Sequence, residues 1–218
     1  MQQPLSYVGR TTHRVDGEAR RIAILEATLR LIVREGIRGV RHRAVAAEAE
    51  VPLASTTYYF KDIKDLISDA LTYFAEKTLW MNNTLEQKSF ELLETVEAGS
   101  QEMCVSQLSV YLTDFLCAHI QEQVSHREDR ILEVAFHEEA LRNPVLAEAI
   151  QLLDNGFIQT IERFFAALGS QTPNADAHQL LGLIRWVEYQ SVISRRLEQD
   201  FLRNTVGACI DKILSAIK

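Results

Sequence analysis

The sequence predicts an all-α protein. Apolar residues recur at helical steps of three and four along most of the 218-residue chain, no alternating strand pattern appears, and only nine glycines and four prolines interrupt it. Hydrophobic residues make up 47%, enough at this length to bury a substantial core in one large or two modest domains. No stretch approaches the roughly 18 uncharged apolar residues of a membrane span. The opening MQQPLSYVGRTTHR lacks the apolar segment of a secretory signal. The three cysteines, Cys104, Cys117 and Cys209, have no CxxC spacing and are expected to be reduced core residues of a cytoplasmic protein.

Residues 1–17, with Gly9 and Gly17 and little periodicity, are expected to form a mobile basic arm. A helix then begins near Glu18, its core stripe made by Ile22, Leu25, Leu29 and Ile32. Gly36 and Gly39 end it and shape the next turn. Short helices follow over about residues 43–49 and from Pro52 or Leu53, since a helix tolerates proline in its first turn. Asp62 is a candidate N-cap for a long fourth helix through Leu66, Ala70, Phe74 and Leu79 or beyond. Further helices are expected over about 103–123, to about Leu141, from the Asn143-Pro144 cap to about Leu168, and over about 175–196 and 199–217. Gly99-Ser100 and 169–174 are breaks between them. The resulting division is 1–17 arm, 18–66 small helical domain and 67–218 larger helical domain.

Val40 to Phe60, VRHRAVAAEAEVPLASTTYYF, reads as two short helices joined by a tight turn, the arrangement by which many proteins set one helix in the DNA major groove. The second helix carries Ser55, Thr56, Thr57, Tyr58 and Tyr59, side chains suited to approach a sugar-phosphate backbone and a base edge. Charge points the same way. Residues 1–47 hold nine arginines against four carboxylates, a net +5, which leaves −12 for the remainder of a chain with net charge −7. A basic head on an acidic body is the electrostatic footprint of a small DNA-contacting module with a separate second domain. The expected DNA-contacting residues are Arg41, His42, Arg43, Ser55, Thr56, Thr57, Tyr58, Tyr59, Lys61 and Lys64. One of Tyr58 and Tyr59 is equally expected in the core of the small domain, together with Val45, Val51, Phe60 and Leu66.

The spaced pattern Arg21-x-x-Ile24-Leu25-x-Ala27 with Leu29 and Leu31, then Gly36 and Val40, Val45-Ala46-x-Glu48-Ala49-x-Val51, Tyr58-Tyr59-Phe60 and Leu66 resembles the tetracycline-repressor (TetR/AcrR) family of bacterial transcriptional regulators over roughly residues 20–68. The resemblance implies an N-terminal three-helix domain with a helix-turn-helix, followed by a helical ligand-binding and dimerisation domain. It implies that Arg43 reaches the major groove, where an arginine forks onto guanine O6 and N7. Ser55 takes a position that commonly touches bases or phosphates. Tyr59 stands in place of a usual histidine whose ring N–H meets a phosphate, a contact that fixes register. The chain departs from the family's habits at Glu50 and Pro52 in the turn, at Thr56-Thr57 in place of Leu-Tyr, and at Ile63, where a lysine is usual and Lys61 or Lys64 is the available substitute. The resemblance implies a double-stranded DNA operator, a small-molecule effector and a homodimer as partners.

Catalytic patterns are absent: there is no GxSxG, P-loop, GxGxxG or HExxH, so neither an enzyme nor a cofactor is expected. Glu133 and His137 stand at helical spacing beside Glu138, but no second histidine or cysteine completes a metal set. A pocket lined by aromatic rings and a few polar groups is expected in the larger domain, with Trp80, Tyr111, His137, Trp186 and Tyr189 as lining candidates. Leu180, Ile184 and Val187 on one terminal helix and Val206, Ile210, Ile213 and Ile217 on the other form apolar stripes. They serve either the domain's own core or a four-helix bundle with a second copy, and dimerisation is expected through them. The contrasting expectation is a helical protein-binding or scaffolding module without specific DNA binding.

Overall fold

Every described residue of the structure, a computed structural model, lies in helix, turn or irregular backbone; the described residues are 5–12, 14–78 and 105–217. They divide into two compact units: Met1–Leu79 with Ile131–Leu153, and Trp80–Arg130 with Asp154–Lys218. The boundaries differ from the expected cut near residue 66, because the first unit also takes in a later stretch of chain.

In the first unit, helix α1 spans Val15–Glu35. It starts three residues before the expected Glu18, with Asp16 and Glu18 in its first turn, where carboxylates complement the free N–H groups and the helix dipole. It ends at Gly36, whose φ of 71° is reached without the Cβ penalty other residues meet there. The Gly36 N–H donates to the Ile32 carbonyl at 2.9 Å. A single 3-10 turn, Ile37–Gly39, leads to α2, His42–Glu48. Next come α3, Leu53–Tyr59, and α4, residues 63–78. Asp62 caps α4 as the sequence suggests, its Oδ1 accepting from the Lys64 N–H at 3.0 Å.

The unit's core joins Ile24, Leu25 and Ile32 of α1, Val45 of α2, Phe60, and Leu66 and Leu71 of α4 with Leu132, Phe136 and Leu146 from the later segment. Phe60 is fully buried, and burying such a ring contributes about 1.5–3 kcal/mol. Glu48 ties α2 to α1, accepting from Arg30 Nε at 2.8 Å and Arg34 Nη1 at 3.0 Å. Those two bonds, Arg30's first, hold its carboxyl below the usual range.

Helix α5 spans Val105–Ser125, α6 Arg127–Ala140, α7 Pro144–Ala167, α8 Pro173–Ser194 and α9 Gln199–Ser215. Asn143 opens α7, its Oδ1 accepting from the Val145 N–H at 3.1 Å, with Pro144 at the first helical position. Helix α8 begins at Pro173, two residues before the expected Ala175, because proline at its start is already set at a helical φ. In the second unit α5 packs on both α8 and α9. Leu112 and Ile120 of α5 meet Phe165, Leu180, Val187, Leu202, Val206, Ile210 and Ile213 in one core. Arg130 Nη1 bonds Glu188 Oε2 at 3.3 Å, and Arg185 Nη1 bonds Asp154 Oδ2 at 3.1 Å. Cys117 is buried and Cys209 half-buried; burial pushes both thiols up, away from the reactive thiolate form. Cys104 lies outside the described residues.

Candidate functional site

The turn between α2 and α3 is closed by the backbone. The Val51 N–H donates to the Ala46 carbonyl at 3.0 Å and the Glu50 N–H to the Ala47 carbonyl at 3.3 Å, the paired bonds of a Schellman cap. Glu50 takes the left-handed position, φ 54°, where glycine is the cheaper residue. This accounts for the turn forming despite the unusual Glu50 and Pro52. Pro52 sits at the N-cap of α3 with φ −58°, and its carbonyl accepts from the Ser55 N–H at 2.8 Å.

The ten expected contact residues separate into two groups. Arg41, Arg43, Thr57, Lys61 and Lys64 are exposed, and so is Tyr58, at 52%. His42 and Ser55 are half-buried. Thr56 and Tyr59 do not face solvent. Thr56 is fully buried and its hydroxyl donates to the Leu53 carbonyl at 2.8 Å. Tyr59 is 5% exposed and its phenol donates to the Gly17 carbonyl at 3.0 Å. The reason is helical phase: Thr56, Tyr59 and Phe60 share the side of α3 that meets the core, while Thr57 and Tyr58 share the opposite side. Tyr59 therefore binds α1 within its own chain.

The basic charge of the head is also divided. Arg21, Arg30 and Arg34 are committed to carboxylates. Arg10, Arg14, Arg20, Arg38, Arg41 and Arg43 make no ion pair among the described residues. The charge of these six guanidinium groups is offset by no carboxylate within ion-pair distance among the described residues.

The arm departs from expectation. Residues 7–10 are bound to the head rather than mobile. The Val8 and Gly9 N–H groups donate to the two oxygens of Asp69 at 2.7 and 3.0 Å, and Arg21 Nη2 reaches the same carboxylate at 3.2 Å. The Tyr7 phenol donates to Glu76 Oε2 at 2.6 Å, and the Arg10 N–H to the Tyr59 carbonyl at 2.8 Å. Burial pushes the Asp69 carboxyl up, opposed by the two arm N–H groups and Arg21. Burial, then the bond to Glu76, pushes the Tyr7 phenol up. A periodicity reading misses this strap because isolated residues make it, each to a partner some 50 to 70 positions away.

In the second unit neither the expected pocket lining nor the expected interface stripe lies where the sequence suggests. Tyr111, Trp186 and Tyr189 stand on the surface, 49%, 48% and 47% exposed. His137, which belongs to the first unit, is half-buried, its Nδ1 2.8 Å from the Glu133 carbonyl, and Trp80 lies outside the described residues. A cavity of about 340 Å³ in this unit is lined by Val124, Arg127, Ser191, Val192, Arg195, Arg196 and Leu197, none of the aromatic candidates. Leu180, Ile184, Val187, Val206, Ile210 and Ile213, expected at a dimer interface, are buried within one chain, with Ile217 packed at their margin. They face α5 and each other. The exposed apolar side of the terminal helices is instead Trp186, Tyr189 and Ile193 on α8 with Phe201 on α9, the Trp186 and Phe201 rings 6.0 Å apart. Among the described residues no three His, Cys, Asp or Glu side chains converge as a metal set, and no helix is long and apolar enough to cross a membrane.

Residues 110–216 match the family model for the tetracyclin repressor-like C-terminal domain. No match is found among curated proteins. Among solved structures, a transcriptional regulator from Rhodococcus is 17% identical with a TM-score of 0.68, covering 90% of this chain and 97% of its own. A regulator from Saccharomonospora viridis, solved with choline, is 21% identical with a TM-score of 0.64, covering 89% and 96%. The multidrug binding protein EbrR, solved with ethidium, is 25% identical with a TM-score of 0.56, covering 87% and 97%.

Proposed function

The chain belongs to the tetracycline-repressor family of transcriptional regulators, and from that premise we propose that it is a repressor that binds a palindromic operator as a homodimer and is released by a small-molecule effector. The observation that carries this reading is the solvent face of α2 and α3. Arg41, Arg43, Thr57 and Tyr58 are exposed on a helix pair whose opposite side is locked into the core, and Lys61 and Lys64 are exposed just beyond it. Arg43 is the side chain to fork onto a guanine edge. Lys61 and Lys64 flank the start of α4 and suit phosphates, setting register without reading sequence.

The dimer follows from symmetry and from exposed apolar surface. Two copies of the head fill two half-sites of a palindrome about one helical turn apart. The strip of Trp186, Tyr189, Ile193 and Phe201 gives α8 and α9 a self-complementary contact, in place of the stripes that the core absorbs. Related helical units are seen with choline and with ethidium, which supports a small organic effector here. Release then needs only that the effector bind more tightly to the dimer whose heads are misplaced for the operator; equal affinity for both forms would shift nothing.

A gel shift of the full chain against DNA flanking its own gene tests this. The expected result is a sequence-specific complex that weakens steeply with salt. Absence of such a complex in every ligand state tested would favour a helical scaffolding role instead.

A further inference from the structure

The arm does more than cover the head. It is threaded so that one arginine comes to rest on the exposed tyrosine of α3. The Arg10 guanidinium carbon lies 4.3 Å from the centre of the Tyr58 ring. Its backbone N–H is fixed by the Tyr59 carbonyl, the last residue of α3. Two residues earlier the chain is held by Asp69, whose side chain is 1% exposed and takes both the Val8 and Gly9 N–H groups. Gly9 is where the chain passes over the core. A Cβ there would stand 2.5 Å from Phe60 Cε1 and 2.8 Å from Asp69 Oδ2, so only glycine allows the close approach.

Two arginines of this region stack on tyrosines, with opposite consequences. Arg21 lies 4.5 Å over the Tyr7 ring, but it is buried and its guanidinium is taken by Asp69 and Glu18. Arg10 is exposed and meets no carboxylate among the described residues. Arg21 is thus part of the clamp, and Arg10 is the cation the clamp presents. Stacking on an aromatic face leaves the guanidinium edge and its N–H donors open to an anion.

We infer that Arg10 is a DNA-phosphate contact delivered by the arm to the C-terminal end of α3, and that Asp69 and Gly9 are positioning residues acting through it. The inference rests on the regulator reading above. The strap makes the arm, α3 and α4 one unit: Tyr7 and Asp69 tie the arm to α4, and Arg10 ties it to α3. Ordering this segment in advance means DNA binding need not supply the entropy of fixing a loose tail.

The test uses the full chain and the operator found by the gel shift, with affinity measured over a salt series. Arg10→Ala, at an exposed site, should lower affinity on the order of tenfold. It should also make the slope of log K against log salt shallower by about 0.9 for each head, about 1.8 for the dimer, the signature of one lost phosphate contact per half-site. Arg10→Lys should restore the slope. Gly9→Val should dislodge the arm and reproduce the Arg10→Ala loss, and Gly9→Val with Arg10→Ala should be no worse than Arg10→Ala alone. That non-additivity separates positioning through Arg10 from general damage to the head. Wild-type affinity and slope in Arg10→Ala, while the wild-type chain binds its operator, overturns the contact and leaves the regulator reading standing. A wild-type chain with no specific DNA binding overturns both.

Discussion

Helices α3 and α8 solve the same problem with opposite surfaces. Each buries one side against its own unit and leaves the other in water. On α3 the outward side is Thr57 and Tyr58, with Arg10 stacked on the Tyr58 ring; on α8 it is Trp186, Tyr189 and Ile193. A hydroxyl, a phenol and an uncompensated arginine exposed together suit a charged, hydrated partner. Indole, phenol and sec-butyl groups exposed together suit another apolar surface, since leaving them in water forgoes burial energy of about 25 cal/mol per Å². Both helices carry tyrosine at the surface, and it is the company of the tyrosine that separates the two roles.

The largest effect should come from pitting the two sides of the terminal helices against each other. Ile213 is 3% exposed inside the second core, so Ile213→Glu should destabilise the chain by more than about 3 kcal/mol in a denaturant melt. Ile193 is 59% exposed. Ile193→Glu should leave a folded subunit that sediments as a monomer. If Ile193→Glu stays dimeric, the strip on α8 is not the interface. Next in size is Arg43→Ala, expected to weaken operator binding by about 1–3 kcal/mol per half-site and to relax sequence preference at one base pair of each, if Arg43 makes the bidentate contact. A folded variant with unchanged affinity and preference removes that role.

The smallest effect separates the two tyrosines of α3. Tyr59→Phe deletes the bond to the Gly17 carbonyl and should cost about 1 kcal/mol of stability, with the salt slope of DNA binding unchanged. Tyr58→Phe should leave stability alone, because no hydrogen bond within the chain depends on its phenol among the described residues. A shallower salt slope in Tyr59→Phe would mean that its hydroxyl leaves Gly17 for a phosphate in the complex.

Helices with strong punctuation were legible in the sequence. Asp62 caps α4, Asn143-Pro144 opens α7 and Gly36 ends α1, because each signal acts on backbone groups within a few residues of itself. The family pattern over residues 20–68 was legible for a related reason. Its apolar members, such as Ile24, Leu25, Val45 and Phe60, must meet in one small core, which constrains their spacing. The site was harder to read. Thr56 and Tyr59 look like their neighbours Thr57 and Tyr58, and only the rotation of α3 against the core tells them apart. The aromatic candidates failed as a pocket list for the same reason: residue type says that Trp186 and Tyr189 want apolar company, not whose.

By itself, then, the sequence determined the helices, most of their ends, the helix-turn-helix and the charge asymmetry between head and body. These follow from periodicity, capping and composition, all local or summed properties. Tertiary structure decided which face of each helix is inside, and so moved Leu180, Ile184, Val187, Val206, Ile210 and Ile213 from the interface to the core. It also decided that the arm is a strap, because a buried carboxylate at Asp69 must find donors wherever the fold brings them, and the fold brings Val8, Gly9 and Arg21. A contact across 60 positions has no periodicity to betray it. Only the packed chain holds it.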